Sequence, residues 1–190
     1  VCSSDLENLA VTHYRNGDPI PHHSDFSTWC DLSRGARSDC PDQSNYVEQY
    51  GRWYNAYAVQ DSRGLAPAGW HIPTQAEWQE LIQHLGGSDA AWGKLCEKGT
   101  SHWHAPHQFV TDQSGFSARG AGELPCTGSV EPASGCPDVK RQTYFWSSSE
   151  ESKGARSYGV HLYDYGYAHG VHMGFTYYDE FGMSIRCVKN

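Results

Sequence analysis

Apolar residues follow a helical pattern most clearly between positions 74 and 85. The apolar positions of this stretch are Trp78, Leu81, Ile82 and Leu85. Their spacing of three and four residues places them on one face of an amphipathic helix. Thr74 stands at the N-cap position with Glu77 three residues later, which is the arrangement of a capping box, and Gly86-Gly87 follows the last apolar residue. We therefore predict a helix over 74–85.

A second, shorter helix is predicted from Asp89 to Glu97, with Ser88 as its N-cap. Its inward-facing positions are Trp92, Leu95 and Cys96. The sequence then changes character. Residues 99–143 contain four prolines, scattered glycines and almost no periodic pattern, so we expect a long tract of loops between this helix and the next regular element.

Strand patterns return after the loop tract. The predicted strands cover residues 144–148, 158–163, about 168–173 and 183–188. In the last of them, the apolar residues Met183, Ile185 and Cys187 alternate with Ser184 and Arg186, as in a half-buried strand. Two helices followed by several short strands, with a long irregular tract between them, indicate a compact α+β domain.

One segment, residues 158–180, differs in composition from the rest of the chain. It reads YGVHLYDYGYAHGVHMGFTYYDE and holds six of the twelve tyrosines, with three His, four Gly and two Asp, but no Lys, Arg, Asn, Gln, Ser or Pro. Tyrosine offers large, rigid contact area at low entropic cost, and His, Gly and Asp add adaptable polar contacts, so this composition is typical of a binding surface. Tyr, Val and Phe also favour strands, and a purely structural pair of strands would explain the same residues.

The overall composition argues against several classes of partner. The formal net charge is −8, which disfavours binding to nucleic acid or to an anionic membrane surface. No apolar run approaches the roughly 20 residues of a membrane span, so we expect no membrane insertion. The first six residues, VCSSDL, resemble a translated sequencing adapter joined to a metagenomic read. We therefore treat 1–6 as a non-native start and 7–190 as a single domain.

Cysteine usage indicates an oxidising compartment. The chain has seven cysteines, of which six remain when Cys2 is set aside with the non-native start. No CxxC motif is present, which disfavours a zinc ribbon or a thioredoxin-type site. Cys126–Cys136 and Cys30–Cys40 are predicted disulfides because each pair brackets a short loop. Cys96–Cys187 is the third predicted disulfide, and it follows by elimination. Such bonds place the protein outside the cell or at the cell surface.

Seven stretches of the chain form a recognisable series of motifs. They are ENLAVTHYRNGDPI (7–20), YGRWYNAYAV (50–59), RGLAPAGWHIPTQAEWQELI (63–82), GGSDAAWGKLCEKGTSHW (86–103), SGF (114–116), FWSSSE (145–150) and FGMSIRCVKN (181–190). In this order they resemble the Fibrobacter succinogenes major paralogous domain family, and GWHIPTQAEW and GMSIRCV are the most distinctive of them. The resemblance implies a C-type-lectin-like fold, which is also similar to that of formylglycine-generating enzymes.

The resemblance also implies an origin for the Tyr-rich segment. The family includes variable proteins of diversity-generating retroelements, in which adenine-directed mutation alters the codons of the binding surface. Where the family is usually rich in Asn and basic residues, residues 158–180 carry Tyr, Asp, His and Gly instead. We therefore expect 158–180 to be a variable-type segment. Residues 123–141 look like a loop insertion relative to the family.

Three other chemistries compete with simple binding. His102, His104 and His107 are close in sequence but lack the ordered spacing of a zinc motif, so we expect no metal site. Glu131-Pro132-Ala133 resembles the calcium loop of sugar-binding lectins but has Ala where a side-chain oxygen is needed. A formylglycine-generating reaction needs two reactive cysteines near the C-terminal region, and only Cys187 lies there. We expect no catalysis and no cofactor.

We therefore predict a non-enzymatic surface protein that binds a protein or glycan, with a structural adhesin lacking a defined ligand as a further alternative. The predicted ligand-binding residues are Trp146, Tyr158, His161, Tyr163, Asp164, Tyr165, Tyr167, His169, His172, Phe175, Tyr177, Tyr178 and Asp179. Trp146 is placed at the floor of the surface, and Asp164 and Asp179 are expected to supply hydrogen bonds.

Burial predictions separate the scaffold from this surface. The tryptophans assigned to the core are Trp53, Trp70, Trp78, Trp92 and Trp103. The positions predicted to point inward are Leu162, Val171 and Met183. The tyrosines predicted to expose their hydroxyl ends are Tyr163, Tyr165, Tyr167, Tyr177 and Tyr178. Substitution of one of these tyrosines by Ser should cost no more than about 0.5–1 kcal/mol of stability, whereas replacement of Trp70 or Trp78 by Ala should cost about 3–5 kcal/mol.

Overall fold

The computed structural model describes residues 7–40, 43–104, 109–126, 136, 138–166 and 168–190, without the side chains of Phe26 and Phe175. The helices are α1 (Phe26–Trp29), α2 (Tyr46–Tyr50), α3 (Ala56–Val59), α4 (Gln75–His84) and α5 (Ser88–Leu95). The strands are β1 (Arg37–Ser38), β2 (Trp53–Tyr54), β3 (Trp70–His71), β4 (Gln142–Ser152), β5 (Arg156–Asp164), β6 (His169–Tyr178) and β7 (Val188–Lys189). Helices and antiparallel sheets are mixed, which agrees with the predicted α+β class.

The capping box at the start of α4 is confirmed. The Thr74 hydroxyl accepts a hydrogen bond from the Glu77 backbone N–H at 3.2 Å, and the Glu77 carboxylate accepts one from the Thr74 N–H at 2.8 Å. Each bond satisfies a backbone donor near the start of the helix that has no partner within it. The buried side of the helix consists of Trp78 and Ile82, as the apolar spacing predicts.

The second helix is shifted from its predicted bounds. Gly87 rather than Ser88 is the N-cap of α5, and Ser88 is its first residue. The helix ends at Leu95, short of its predicted end, because Cys96 is extended and forms a bridge with Ala118. In the described part of the chain, no helix has the length and apolar character needed to cross a bilayer.

The sheet β4-β5-β6 places the two sides of the Tyr-rich segment in different surroundings. Side chains alternate between the faces of a strand. One face lies in the same apolar cluster as α4 and α5 and contributes Phe145, Val160, Leu162 and Val171. The opposite face carries Tyr144 and Trp146 from β4 and His161 from β5. The predicted inward positions Leu162 and Val171 are confirmed as buried, and so is Met183.

A bulge in β6 changes which of its residues share a face. Gly159 pairs with Phe175, whereas His161 pairs with His172, so one extra residue is accommodated on β6 between these pairs. Gly174 lies there with a φ of +80°, a conformation that favours glycine. As a result, His172 and Tyr177 belong to the same face of the sheet although they are an odd number of residues apart.

The C-terminal segment 181–187 is buried along its whole length, so the predicted half-buried strand is wrong. Met183 bridges to Tyr54 and Ser184 bridges to Phe145, which shows that the segment runs between two parts of the structure. The side chain expected to face solvent, Arg186, instead packs over the Phe116 ring at 4.5 Å. The regular strand in this region is limited to β7.

The tryptophan predictions hold with one exception. Trp53, Trp78, Trp92 and Trp103 are buried, as predicted. Trp70 is only half-buried and packs against the edge of the core cluster, so its assignment to the core is right only in part. It lies on β3, which pairs with the terminal strand β7 in a two-stranded sheet, and a sheet this small leaves part of the indole uncovered.

Two disulfides connect the N-terminal part of the chain to the 123–141 segment. They are Cys30–Cys126 and Cys40–Cys136, each with a sequence separation of 96 residues. The predicted loop-closing pairs use the same four cysteines, but their pairing is wrong. The cause is tertiary: Trp29 and Cys40 share an apolar cluster with Leu124 and Val139, so the two ends of the 30–40 loop lie beside the residues that flank 127–135. Each cysteine therefore meets its partner across the loops, at Cα–Cα distances of 5.4 and 5.5 Å.

The predicted Cys96–Cys187 bond is also wrong. Cys96 lies in the cluster beneath α4 and α5, together with Trp92. Cys187 belongs to a separate cluster with Ile185. Burial raises the pKa of the Cys96 thiol, which therefore stays protonated and unreactive at neutral pH.

Candidate ligand-binding surface

Residues 158–180 form most of β5, the turn after it and all of β6, so the predicted site residues divide between two faces of one sheet. The register places His161 and Tyr163 on one face together with His172, and places Tyr158 and His169 on the other. A single ligand therefore meets the predicted residues as separate groups. Tyr167 lies outside the described residues, and the side chain of Phe175 is not described.

Six rings on and beside the first face form a continuous series, which we call the aromatic row. It consists of Tyr177, Tyr144, His161, His172, Tyr163 and Tyr165. The Tyr144 and His161 rings stack with centroids 4.0 Å apart and an interplanar angle of 4°. Tyr163 then lies 4.6 Å from His172 and 5.4 Å from Tyr165. Within the row Tyr144 and His161 are buried, Tyr177 and Tyr163 are partly buried, and His172 and Tyr165 are exposed.

Gln142, a buried residue at the start of β4, fixes the orientation of the row. Its Oε1 accepts hydrogen bonds from His161 Nε2 at 2.9 Å and from the Tyr165 hydroxyl at 2.6 Å. Because an amide oxygen only accepts, His161 carries its proton on Nε2. Burial lowers the pKa of His161 to about 3, with the neighbouring His172 as a second cause, so this ring is neutral near pH 7.

The amide nitrogen of Gln142 connects the row to the 123–141 segment. It donates to Asp138 Oδ2 at 2.9 Å and to Glu123 Oε1 at 3.3 Å. Burial, and after it the negative charge of Asp138, raise the pKa of Glu123 to about 8. A carboxyl group that gains or loses its proton near physiological pH therefore lies one side chain away from Tyr165.

Accessible rings lie on both faces of the sheet near the turn after β5. Tyr163, Tyr165 and His172 lie on one face, and His169, with Phe109 against it, lies on the other. We call Phe109, Tyr163, Tyr165, His169 and His172 the hairpin patch. The His169 ring lies 4.6 Å from Phe109 and 4.9 Å from the buried Trp92. The absence of a side chain at Gly93 of α5 lets the Phe109 backbone approach the helix closely, because a Cβ atom there would lie only 2.8 Å from the Phe109 carbonyl oxygen.

A second accessible group lies at the far end of the same strands. The Arg156 guanidinium lies 4.4 Å from the Tyr178 ring centroid, in cation–π geometry. Arg156 Nη1 donates to Thr176 Oγ1 at 3.4 Å, and that hydroxyl donates to Glu151 Oε2 at 3.0 Å. Tyr158 pairs with Thr176 across the strands and is half-buried. These contacts fix Tyr178 while leaving half of its surface exposed.

Several predicted contact residues are buried. Trp146 is fully buried and donates its indole N–H to the Tyr54 carbonyl at 2.7 Å, so it is a core residue and not the floor of a binding surface. Asp164 accepts from the Gly166 N–H at 2.9 Å, and Asp179 accepts from the Ser157 hydroxyl at 2.8 Å. Both aspartates are buried, so their predicted role as ligand hydrogen-bonding groups is replaced by support of the turn and the strand end.

Tyr177 also differs from expectation. It is partly buried, with its ring 5.5 Å from Tyr144 and 5.8 Å from Phe181, so it is not the mostly exposed side chain that we predicted. Burial raises its pKa well above the ordinary tyrosine value. Phe109 and Gln142 were not predicted as site residues. Gln142 is two positions before Tyr144, and strand alternation could have identified it, whereas Phe109 had no sequence signal.

Metal binding finds no support in the described residues, where no three or more His, Cys, Asp or Glu side chains come together. His102 is bonded to the Glu97 carboxylate, while His107 lies outside the described residues, as does Glu131-Pro132 of the calcium-loop comparison. A cleft of about 730 Å³ lies away from the Tyr-rich segment, between α4 and the terminal strand β7. It provides an alternative location for a ligand.

We expect the free energy of unfolding to fall as the pH rises from 6.5 to 8. Folded Glu123 keeps its proton up to a pKa of about 8, whereas an unperturbed Glu titrates near 4.5, so the folded state holds more protons in this window. The decline is at most about 1.4 kcal/mol per pH unit. His161 acts in the opposite sense, but only below its unfolded pKa of 6.5. Denaturant titrations at several pH values give the free energy of unfolding of the wild type and of Glu123→Gln. If this free energy changes with pH equally in both proteins, the prediction is wrong.

The fold and this surface together define a small α+β domain that exposes aromatic side chains on an ordered sheet. The chain belongs to the Fibrobacter succinogenes major domain family, whose model matches residues 6–189. This confirms the resemblance drawn from the motifs at 63–82 and 181–190. Comparison with curated proteins and comparison with solved structures each find no match. Family membership alone assigns neither a ligand nor a reaction.

Proposed function

We propose that this chain is a non-enzymatic binding domain with a C-type-lectin-like fold, which recognises a protein or a glycan through residues 158–180 outside the cell. The hairpin patch is the main contact area. Tyr158 and Tyr178 extend the contact area when a ligand covers the length of the sheet. The buried residues of the segment hold these side chains in place.

The distribution of exposed apolar surface carries this proposal. In the described part of the chain, four large hydrophobic side chains are strongly exposed: Phe109 (49%), Tyr165 (38%), Tyr178 (50%) and Val188 (40%). Three of them lie on residues 158–180 or against them. Exposed apolar surface that is concentrated on one segment is typical of interaction sites. Tyr is among the residues most enriched at energetic hot spots.

The exposed positions of the segment are suited to sequence variation. Tyr165, His169, His172 and Tyr178 face outward, whereas Leu162 and Val171 of the same strands are buried. Exposed positions accept substitution at little cost in stability, which is the property that a diversified surface requires. We propose a retroelement as the source of this variation. A reverse transcriptase gene and a near-repeat of the 158–180 coding sequence beside this gene would support it, and their absence would count against it.

Two inter-loop disulfides support a location outside the cell, since such bonds persist in oxidising compartments. They also tie Cys126 and Cys136 to the N-terminal part of the chain. An exported domain with a rigid scaffold and accessible aromatic rings is suited to binding, because rigid aromatic side chains lose little entropy when a ligand covers them.

We expect binding energy to concentrate at Tyr165 or Phe109. A ligand is first selected from displayed proteins and a glycan array, and its affinity is then measured for Tyr165→Ser and Phe109→Ser. At least one substitution should weaken binding about thirtyfold, which corresponds to about 2 kcal/mol, as at interface hot spots. Val188→Ser is the matched control, because Val188 is equally exposed but lies on the separate β3–β7 sheet.

The control variant should bind with unchanged affinity, and all three variants should remain folded by circular dichroism. If Val188→Ser alone weakens binding, the ligand occupies another surface and the proposal is wrong. The result would point to the cleft beside β7, since Val188 is one of its lining residues.

A further inference from the structure

We propose that the outer end of the aromatic row selects a ligand bearing a positive charge, an ammonium or guanidinium group, which is held beside Tyr165 and the carboxylates of Glu123 and Asp138. This inference rests on the proposed function, because it names the charge of the group that the same surface binds. Three features of the structure support it: the accessible faces of the rings, two acids that form no ion pair with a described residue, and the hydrogen bonds of Gln142 that join the acids to the rings.

The rings provide the first feature. Tyr163 has Tyr165 and His172 as ring neighbours at 5.4 and 4.6 Å. A cation is attracted to the face of an aromatic ring within about 6 Å of its centroid, and most strongly where water is partly excluded. The chain itself uses this contact with tyrosine, for Arg156 on Tyr178 at 4.4 Å and for Arg63 on Tyr14 at 4.0 Å.

The acids provide the second feature. Glu123 is partly buried and Asp138 is exposed, and in the described part of the chain neither forms an ion pair. The 158–180 segment contains Asp and Glu but no Lys or Arg. The cations nearest in sequence, Lys140 and Arg141, are exposed in the turn before β4, where solvent and salt screen them. A partly buried carboxyl group without a cation attracts one from a ligand.

Gln142 provides the connection. Its amide nitrogen donates to Glu123 and Asp138, and its oxygen accepts from the Tyr165 hydroxyl. The acids are therefore separated from the exposed ring by one buried side chain. A cationic group on Tyr165 meets the ring face and lies near the negative charge of Asp138, to which Glu123 adds its own charge when it ionises at a pKa of about 8. An anionic group is disfavoured by the ring face and by these charges.

Proton linkage gives this proposal a specific signature. A bound cation stabilises ionised Glu123, whose pKa without ligand is about 8, so affinity should rise as the pH increases from 7 to 9. The titratable groups that interact with Glu123 are Asp138, Tyr144 and Tyr177, and Tyr165 interacts with the two tyrosines. Burial raises the pKa values of Tyr144 and Tyr177 above this window, and burial keeps His161 neutral throughout it.

The test compares N-acetyl-arginine amide with N-acetyl-citrulline amide, which has nearly the same shape but carries a neutral urea group. Nuclear magnetic resonance follows the Tyr and His ring signals of the full chain during titration at pH 7 and pH 9. The arginine probe should bind at least about fivefold more tightly than the citrulline probe. Its affinity should rise up to about tenfold between the two pH values, in proportion to the ionised fraction of Glu123.

The pH gain should disappear in Glu123→Gln and persist in Glu80→Gln, which removes an exposed acid on α4. Asp138→Asn alters an exposed side chain and should lower the affinity for the arginine probe. It serves as a second variant if Glu123→Gln does not fold. Equal binding of the two probes, no binding of either, or a pH gain that survives Glu123→Gln would each overturn the inference.

Failure of this inference can be told apart from failure of the proposed function. If the ligand selected by screening depends on Tyr165 but bears no cationic group at its contact, the proposed function stands and the charge preference is wrong. If the selected ligand is unaffected by both Tyr165→Ser and Phe109→Ser, the proposed function itself is wrong.

Discussion

Replacing Trp146 by alanine is expected to lower the free energy of unfolding by about 3–5 kcal/mol, as deletion of a buried tryptophan usually does. The indole is fully buried between the strands and the N-terminal part of the chain. The substitution leaves a cavity and also removes the donor that the Tyr54 carbonyl accepts at 2.7 Å. Urea denaturation measures the loss, and any loss of ligand binding should follow the unfolded fraction.

Tyr178→Ala is the matched control for this prediction. Tyr178 is the most exposed large aromatic residue described in 158–180, and its substitution should change the free energy of unfolding by no more than about 0.5–1 kcal/mol. Similar losses for Trp146→Ala and Tyr178→Ala would mean that the Tyr-rich segment is as structural as the core, and the assignment of a binding surface would then be wrong.

Removing the Cys30–Cys126 disulfide by alanine substitution at both positions is expected to lower the free energy of unfolding by about 2–5 kcal/mol. The bond closes a long loop, with a sequence separation of 96 residues, and so restricts the unfolded chain strongly. It also holds α1 against the segment that supplies Glu123 to the site. Thermal and urea unfolding of the double variant under oxidising conditions measure the effect.

Mass mapping of unreduced peptides provides the control on the pairing. Peptides joined through Cys30–Cys126 and Cys40–Cys136 are expected, and Cys96→Ser should not alter them. Linked peptides that join Cys30 to Cys40, or Cys126 to Cys136, would contradict the arrangement of the two loops. With such loop-closing bonds, the double variant would lose both disulfides and leave Cys40 and Cys136 without partners.

Local signals in the sequence predicted local structure well. The capping box of α4 lies within four residues and is satisfied by those residues alone, so Thr74 and Glu77 identify the start of the helix. The disulfides show the opposite case. Cysteines close in sequence suggested loop-closing bonds, but the pairing depends on how two loops pack against each other, and no short window of sequence contains that information.

The binding segment was identified by its composition, but its geometry was not. Alternation assigns faces only while the register is constant, and the bulge at Gly174 changes it in the middle of β6. Acidic residues that look suited to ligand contact, such as Asp164, are instead used to hold the turn. Gln142 and Phe109 come from other parts of the chain, so only the tertiary structure brings them to this surface.

The most direct test of the binding surface is a hydrogen-exchange footprint of the full chain with and without the ligand selected by screening. We predict slower exchange at the turn between β5 and β6 and in the adjoining residues 109–112, with no change at β7 or α4. Protection confined to α4 and β7, around the cleft lined by Trp70 and Val188, would contradict the account and place the binding site there.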